Sequence, residues 1–311
     1  MKKHALAAST ILVMFIVQTV RAQELKNPDR PDATVHVQVV DDDGKPVRGT
    51  FSSIWSLSDM DAQSGKTNRR GIYSQKLKRI FPPIRGKFYK AGFYTSRGDI
   101  WKWEGDERSP TNTLTVTIKR IIDPVPMVFR DVTLTFPRLD EAIGYDLEVG
   151  DWVEPDGKGK VSDIMVTARK DFISWDNYDF RVMIEFAGEL NGIQSSGIPT
   201  SEFAMQSALI PPQVAPTTGY SKTFEAWIGR PRGGQFTTSA DEKSNHIFRV
   251  RTKCDGAGEI VSANVGWIIG PIATTPTEKN LGKCYFKYYW NPDPTSRSLE
   301  PKEIAARQGM R

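Results

Sequence analysis

The sequence predicts an all-β chain built as a small N-terminal β-sandwich followed by a larger second β-sandwich or jelly-roll domain. Three observations predict it. Apolar residues recur at a period of two, as in Val35, Val37 and Val39 against His36 and Gln38, which is the pattern of a half-buried strand. Gly, Asn, Asp and Pro break the chain at short intervals, and no ten-residue helical pattern lies between them in the N-terminal part. The 311 residues exceed what one average core accommodates, so two domains are the default.

Residues 1–22 read as a secretory signal peptide. Lys2 and Lys3 form a basic head, Ile11 to Val17 an apolar core, and Val20-Arg21-Ala22 a small-residue cleavage site. The apolar core is too short to span a hydrocarbon layer of about 30 Å. No second long apolar run follows, so no membrane span is expected once the signal is removed. Residues 23–33 are a linker, and the first domain spans 34–120. In it, "VHVQVV" is a strand and "DDDGKPV" its turn, Asn68 to Gly71 form a second turn, and Ile72 to Leu77 and Leu114, Val116, Ile118 are further strands. Pro124 and Pro126 then make 121–128 a short stiff connector, because proline fixes φ and removes a ladder donor. The second domain, 129–296, carries strand-like runs at "DVTLTF", "SDIMVTAR", "DFRVMIEF", "KTFEAWIG", "HIFRVRTK", "GEIVSANVGWI" and "CYFKYYW". The tail 297–311 is short and polar, and is expected to add no core.

The segments "VHVQVVDDDGKPVRGT", "GKTNRRGIYSQKLK" and "KAGFYTS" resemble the carboxypeptidase regulatory-like domain over residues 34–120. That resemblance implies a prealbumin-like sandwich and an extracellular setting. It implies no activity, because the matching residues are turn and core residues and function sits in sites grafted on folds. "GDWVEPDGKGKVSDI" and "YYWNPDPTSRSLE", following such a domain, are also similar to a group of exported bacterial proteins.

Removing Lys2, Lys3 and Arg21 leaves 39 basic against 37 acidic residues, a net charge of +2. A nucleic-acid partner is not expected, since "KLKR" and "NRRG" sit beside turns and read as solvated strand ends. Cys254 and Cys284, the two cysteines, are expected to form one disulfide in an exported chain. The stretch "GKGKVS" at 157–162 fails as a phosphate loop, because it lacks the G-x-x-x-x-G-K-[ST] spacing and a following helix. It reads as a turn between strands. Two histidines outside the leader, His36 and His246, supply neither a Ser-His-Asp base with a G-x-S-x-G partner nor a zinc site, and no cofactor or metal is expected.

Three function classes remain. Trp101, Trp103, Trp152 and Trp175 are aromatics beside polar turn residues, and with Asp176 and Asn177 they suit the faces and hydroxyls of a sugar ring. This favours a secreted, non-enzymatic protein that binds a carbohydrate or another cell-surface component, each tryptophan having core packing as its alternative role. The alternatives are a carbohydrate-active hydrolase with an acid pair, for which Glu185 and Glu225 are the weak catalytic candidates, and a purely structural envelope module.

Overall fold

The computed structural model describes residues 33–56, 59–77, 84–100, 111–196, 206–241, 244–277 and 281–308. The signal segment, most of the 23–33 linker, and Trp101 and Trp103 lie outside the described residues. In chain order the strands are β1 Ala33–Val40, β2 Phe51–Ser56, β3 Asp59–Lys66, β4 Ile72–Leu77, β5 Ile84–Tyr89, β6 Ser96–Ile100, β7 Thr111–Thr117, β8 Val128–Thr135, β9 Ala142–Asp146 and β10 Asp151–Trp152. There follow β11 Ile164–Ser174, β12 Asn177–Phe186, β13 Gly192–Ser195, β14 Gln206–Ser207, β15 Thr223–Arg230, β16 Thr237–Thr238, β17 His246–Cys254, β18 Ile260–Thr275 and β19 Lys283–Trp290. Among the described residues one short helix, α1, spans Lys302–Ala306. The protein is all-β, and it divides into one unit of Met1–Arg120 with Thr200–Ala208 and another of Ile121–Pro199 with Leu209–Arg311.

The first unit is a sandwich of a three-stranded sheet, β4-β1-β7, and a five-stranded sheet, β14-β6-β5-β2-β3. Val35, Val37 and Val39 of β1 point inward with Leu77, Leu114 and Val116, and meet Ile54, Ile84 and Phe88 of the other sheet. The "DDDGKPV" turn closes on Asp41, whose Oδ1 accepts the N–H groups of Asp43 (3.1 Å) and Lys45 (2.9 Å). Arg120 Nη2 bonds the other carboxylate oxygen at 2.8 Å. Asn68 closes the second turn in the same way, accepting from Arg70 and Ile72. Gly71 is required there: its φ is +73°, and a Cβ would stand 2.5 Å from the Val39 carbonyl oxygen.

The second unit pairs a six-stranded sheet, β10-β9-β11-β12-β15-β16, with a five-stranded sheet, β13-β17-β18-β19-β8. Between them lies a core that includes Val166, Phe180, Val182, Phe248, Phe286, Tyr288 and Trp290. A second apolar cluster covers the outer face of the five-stranded sheet. Here Ile247, Val265 and Trp267 meet Met127 from the connector, Ala215, and Leu299 and Ile304 from the C-terminal segment. The tail, expected to add no core, is therefore part of one. Glu300 explains the docking: it is fully buried, its carboxylate accepts the N–H groups of Ile122 and Asp123, and its backbone carbonyl accepts from Val125. Burying the tail satisfies the donors of the proline-interrupted connector, which has no ladder of its own. No helix among the described residues is long and apolar enough to cross a membrane.

Candidate ligand-binding surface

The strands β11 and β12 form a hairpin whose register closes at Ser174 opposite Asn177, so Trp175 and Asp176 are its two turn residues. Its neighbour β9 pairs only with Ile164–Thr167, and the distal half of the hairpin runs on beyond that support. Along that half the clean burial alternation of β11 gives way to half-exposed and exposed positions. At the tip Phe172 and Tyr178 face each other across the pair, stacked at 6.1 Å and 22°. The Trp175 ring stands edge-on to both, 5.2 Å from Phe172 and 6.4 Å from Tyr178. Lys170 Nζ lies 5.1 Å from the Phe172 centroid, a cation–π contact. Trp175 is 53% exposed and neighbouring Ile173 78%.

The opposite face of the same hairpin borders a shallow groove of about 330 Å³. Asp171, Ile173, Asp179 and Arg181 line it from the hairpin, Trp227 from β15, and Asn177 and Tyr178 from the tip. Arg181 Nε bonds Asp179 Oδ2 at 2.7 Å, and this partner holds the guanidinium above its usual pKa. The carboxylate of Asp176 accepts the Ser174 hydroxyl. Of the predicted binding residues, the fold brings Trp175, Asp176 and Asn177 together. Phe172, Asp179, Arg181 and Trp227 were not singled out. The near-mirror arrangement of Phe172 and Tyr178 about "WD" is the signal that marks the first of them.

Trp152 has a different role. It is 7% exposed, with Tyr145 edge-on at 5.4 Å and Phe136 at 5.8 Å, and its indole Nε1 donates to the Thr135 carbonyl at 3.2 Å. It locks the following turn onto the core and offers no face to a ligand. That turn is no phosphate cradle, because the N–H groups of Lys158, Gly159, Lys160 and Val161 are already committed, that of Gly159 to the Trp152 carbonyl at 2.8 Å. Asp146 Oδ2 accepts from Lys160 (2.9 Å) and Val161 (3.1 Å), and Asp151 Oδ2 accepts from Lys158 (3.1 Å). Gly157 and Gly159 are needed for the close approach, since a Cβ at either would fall within 2.4–2.7 Å of neighbouring atoms.

A charge cluster with no local sequence signal holds this corner. Arg251 occupies a β-bulge between Val250 and Lys253 with φ +54°, a left-handed conformation that costs a non-glycine residue on the order of 1–3 kcal/mol. The bulge turns its guanidinium to the end of the sandwich. There Nε and Nη2 bond Asp163 at 2.8 and 3.0 Å, Nη2 also bonds Asp146 at 3.0 Å, Nη1 bonds Glu148, and the group lies 5.0 Å over the Trp290 ring. Burial pushes the Asp163 carboxyl up against these bonds. For Asp146 burial acts in the same direction but is outweighed by three backbone N–H bonds and Arg251, so its pKa falls.

Glu185 and Glu225 lie on the outer face of the six-stranded sheet, exposed and ion-paired, the first with Lys222 (3.3 Å) and the second with Arg181 (3.4 Å). The expected disulfide is absent. Cys284 faces the core fully buried, whereas Cys254 is exposed. The reason is register: Cys254 sits opposite Ile260 and Cys284 opposite Thr274, at the two ends of β18. A strand of that length extends on the order of 40 Å, and a disulfide needs Cα atoms within about 7 Å. Among the described residues no group of three or more His, Cys, Asp or Glu side chains converges as a metal site.

No protein-family model and no curated protein matches the chain. Solved structures with local likeness include the 3-chlorocatechol 1,2-dioxygenase of Rhodococcus opacus 1CP, at 9% identity over 31% of this chain with a TM-score of 0.26. The chain spans 62% of that enzyme's length. A DUF3823 family protein of Parabacteroides merdae is 7% identical over 88% of this chain and 100% of its own, with a TM-score of 0.21. The shaft pilin SpaA of Lactobacillus rhamnosus GG is 13% identical over 77% of this chain and 94% of its own, also with a TM-score of 0.21.

Proposed function

We propose that this chain is an exported, non-enzymatic protein of two β-sandwich domains, the first of the carboxypeptidase regulatory-like type, that binds carbohydrate through the β11–β12 hairpin. One observation carries the reading: Trp175 is placed at a two-residue turn and left half in solvent, although Phe172 and Tyr178 beside it are there to bury it. A large aromatic held rigid by two others, next to Asp176, Asn177 and the Asp179–Arg181 pair, offers a stacking face with hydrogen-bonding groups around it. Export is supported by the charge and apolar pattern of residues 1–22. The exposed ion pairs of Glu185 and Glu225 lend the hydrolase alternative no support.

The test is tryptophan fluorescence and affinity electrophoresis against a panel of soluble polysaccharides. At least one glycan should shift the emission or retard the protein, and Trp175→Ala should weaken that binding by roughly 30-fold or more with unchanged stability. Either no response to any glycan, or a Trp175→Ala variant that binds as well as the parent, overturns the reading.

A further inference from the structure

A second groove, of about 670 Å³, lies on the outer face of the five-stranded sheet of the Ile121–Pro199 and Leu209–Arg311 unit. Its size falls in the range of small-molecule sites, about 300–1,000 Å³. Arg249 of β17 lines it and is only 7% exposed. Two features of that arginine are unusual. Its guanidinium lies 4.4 Å over the Tyr220 ring, and among the described residues its bonds all go to backbone carbonyls: Nε to Leu190 at 2.8 Å, Nη2 to Leu190, and Nη1 to Thr217 at 2.8 Å. Among the described residues no carboxylate pairs with it.

Arg297, which lines the same groove, adds a second positive charge, and among the described residues it bonds the Ala215 carbonyl alone, at 3.2 Å. This is the reverse of Arg251, two residues further along β17, which is surrounded by three carboxylates. A buried cation without a counter-charge is costly, and carbonyl dipoles offset only part of that cost. Burial lowers the Arg249 pKa, and Arg297 acts in the same direction against the opposing Tyr220 and Cys254. Three of its five N–H donors are used by these carbonyls, and each Nη keeps one N–H as a charged donor for a carboxylate oxygen. The same groove is lined by the apolar side chains of Leu190, Ile260 and Val261, which are 43%, 41% and 56% exposed, together with the exposed Glu189 and Glu259.

We infer that this groove binds a small organic carboxylate with an apolar body, its carboxylate on Arg249 and Arg297 and its body against Leu190, Ile260 and Val261. The site is separate from the Trp175 hairpin and stands whether or not that surface binds glycans. Titration calorimetry on the full chain tests it with phenylacetate, phenylacetamide, glucuronate and inorganic sulfate as probes. Phenylacetate should bind, and phenylacetamide should bind at least 10-fold more weakly because it cannot pair with the guanidinium. Glucuronate, a carboxylate without an apolar body, and sulfate should bind more weakly than phenylacetate.

Arg249 also holds two carbonyls, so its removal risks the fold. The informative variants are therefore Arg297→Gln, expected to lower phenylacetate affinity several-fold, and Val261→Asp, which sets a like charge on the apolar wall and is expected to lower it roughly 10-fold or more. Absence of phenylacetate binding, equal binding of the amide, or binding unaffected by both variants overturns the inference. Stronger binding of glucuronate or sulfate than of phenylacetate overturns the apolar-body assignment.

Discussion

Replacing Arg251 by methionine removes one guanidinium from contact with three carboxylates. The loss falls unequally. Asp146 keeps four backbone donors, those of Glu148, Val149, Lys160 and Val161, whereas Asp163 keeps one, that of Leu147 at 2.9 Å. With a fully buried side chain, Asp163 is then an unpaired charge in the interior. Breaking one partner of a buried pair costs about 3–5 kcal/mol, and methionine keeps the left-handed φ, so no strain is relieved. At a urea slope of about 2 kcal/mol per molar, the unfolding midpoint of the second unit should fall by roughly 1.5–2.5 M at pH 7. The sign of the pH dependence follows from Asp163. Without Arg251 its folded pKa lies further above the unfolded value of about 3.9, so the penalty applies above that pH and disappears as the pH is lowered towards it. Urea titrations at pH 7 and pH 4, followed by the core tryptophans, measure both effects. The double variant Arg251→Met with Asp163→Asn should recover much of the loss. A deficit below about 1 kcal/mol at pH 7, or one equal at the two pH values, would refute the assignment of Arg251 as the counter-charge of this corner.

Three further outcomes are expected. Gly266→Ala should destabilise by about 3 kcal/mol, because its Cβ would fall 2.2 Å from Phe248 Cζ and 2.3 Å from the Tyr289 carbonyl oxygen, whereas Gly256→Ala, with nothing within 4 Å, should stay within about 0.5 kcal/mol in the same urea assay. His246 is buried against Phe224 and its pKa is lowered by that burial. The unfolded chain therefore takes up a proton near pH 6.5 before the folded chain does, so urea midpoints should fall as pH drops from 7.5 through 6.5, and His246→Gln should flatten that slope. A thiol reagent should label Cys254 alone in the native protein and Cys284 only after unfolding, since burial pushes the Cys284 thiol up to about 12; reductant should leave stability unchanged.

Much of the fold is legible in local pattern. A strand shows its two faces by alternation, so Val35, Val37 and Val39 declare an inward side, and the Asp41 and Asn68 turns declare themselves by side chains that cap nearby N–H groups. The failure of "GKGK" as a phosphate loop is equally local, a matter of spacing and of the strand that follows. The position of Trp175 in a turn also follows from its neighbours. What the chain could not show by itself is which marked face another layer covers. Trp152 and Trp175 stand beside similar polar residues, yet one is sealed by Phe136 and Tyr145 from other segments and the other is not. Cys254 and Cys284 flank strands that do neighbour a common strand, β18, but register alone sets them at its opposite ends. The C-terminal tail looks polar until Leu299 and Ile304 find the outer face of the five-stranded sheet. Arg249 and Arg251 share one parity of β17, and a single left-handed bulge residue sends one to three carboxylates and leaves the other facing carbonyls in an open groove. Periodicity is a property of neighbours in the chain, whereas burial, pairing and charge compensation belong to neighbours in space, and those are decided only when the sheets have packed.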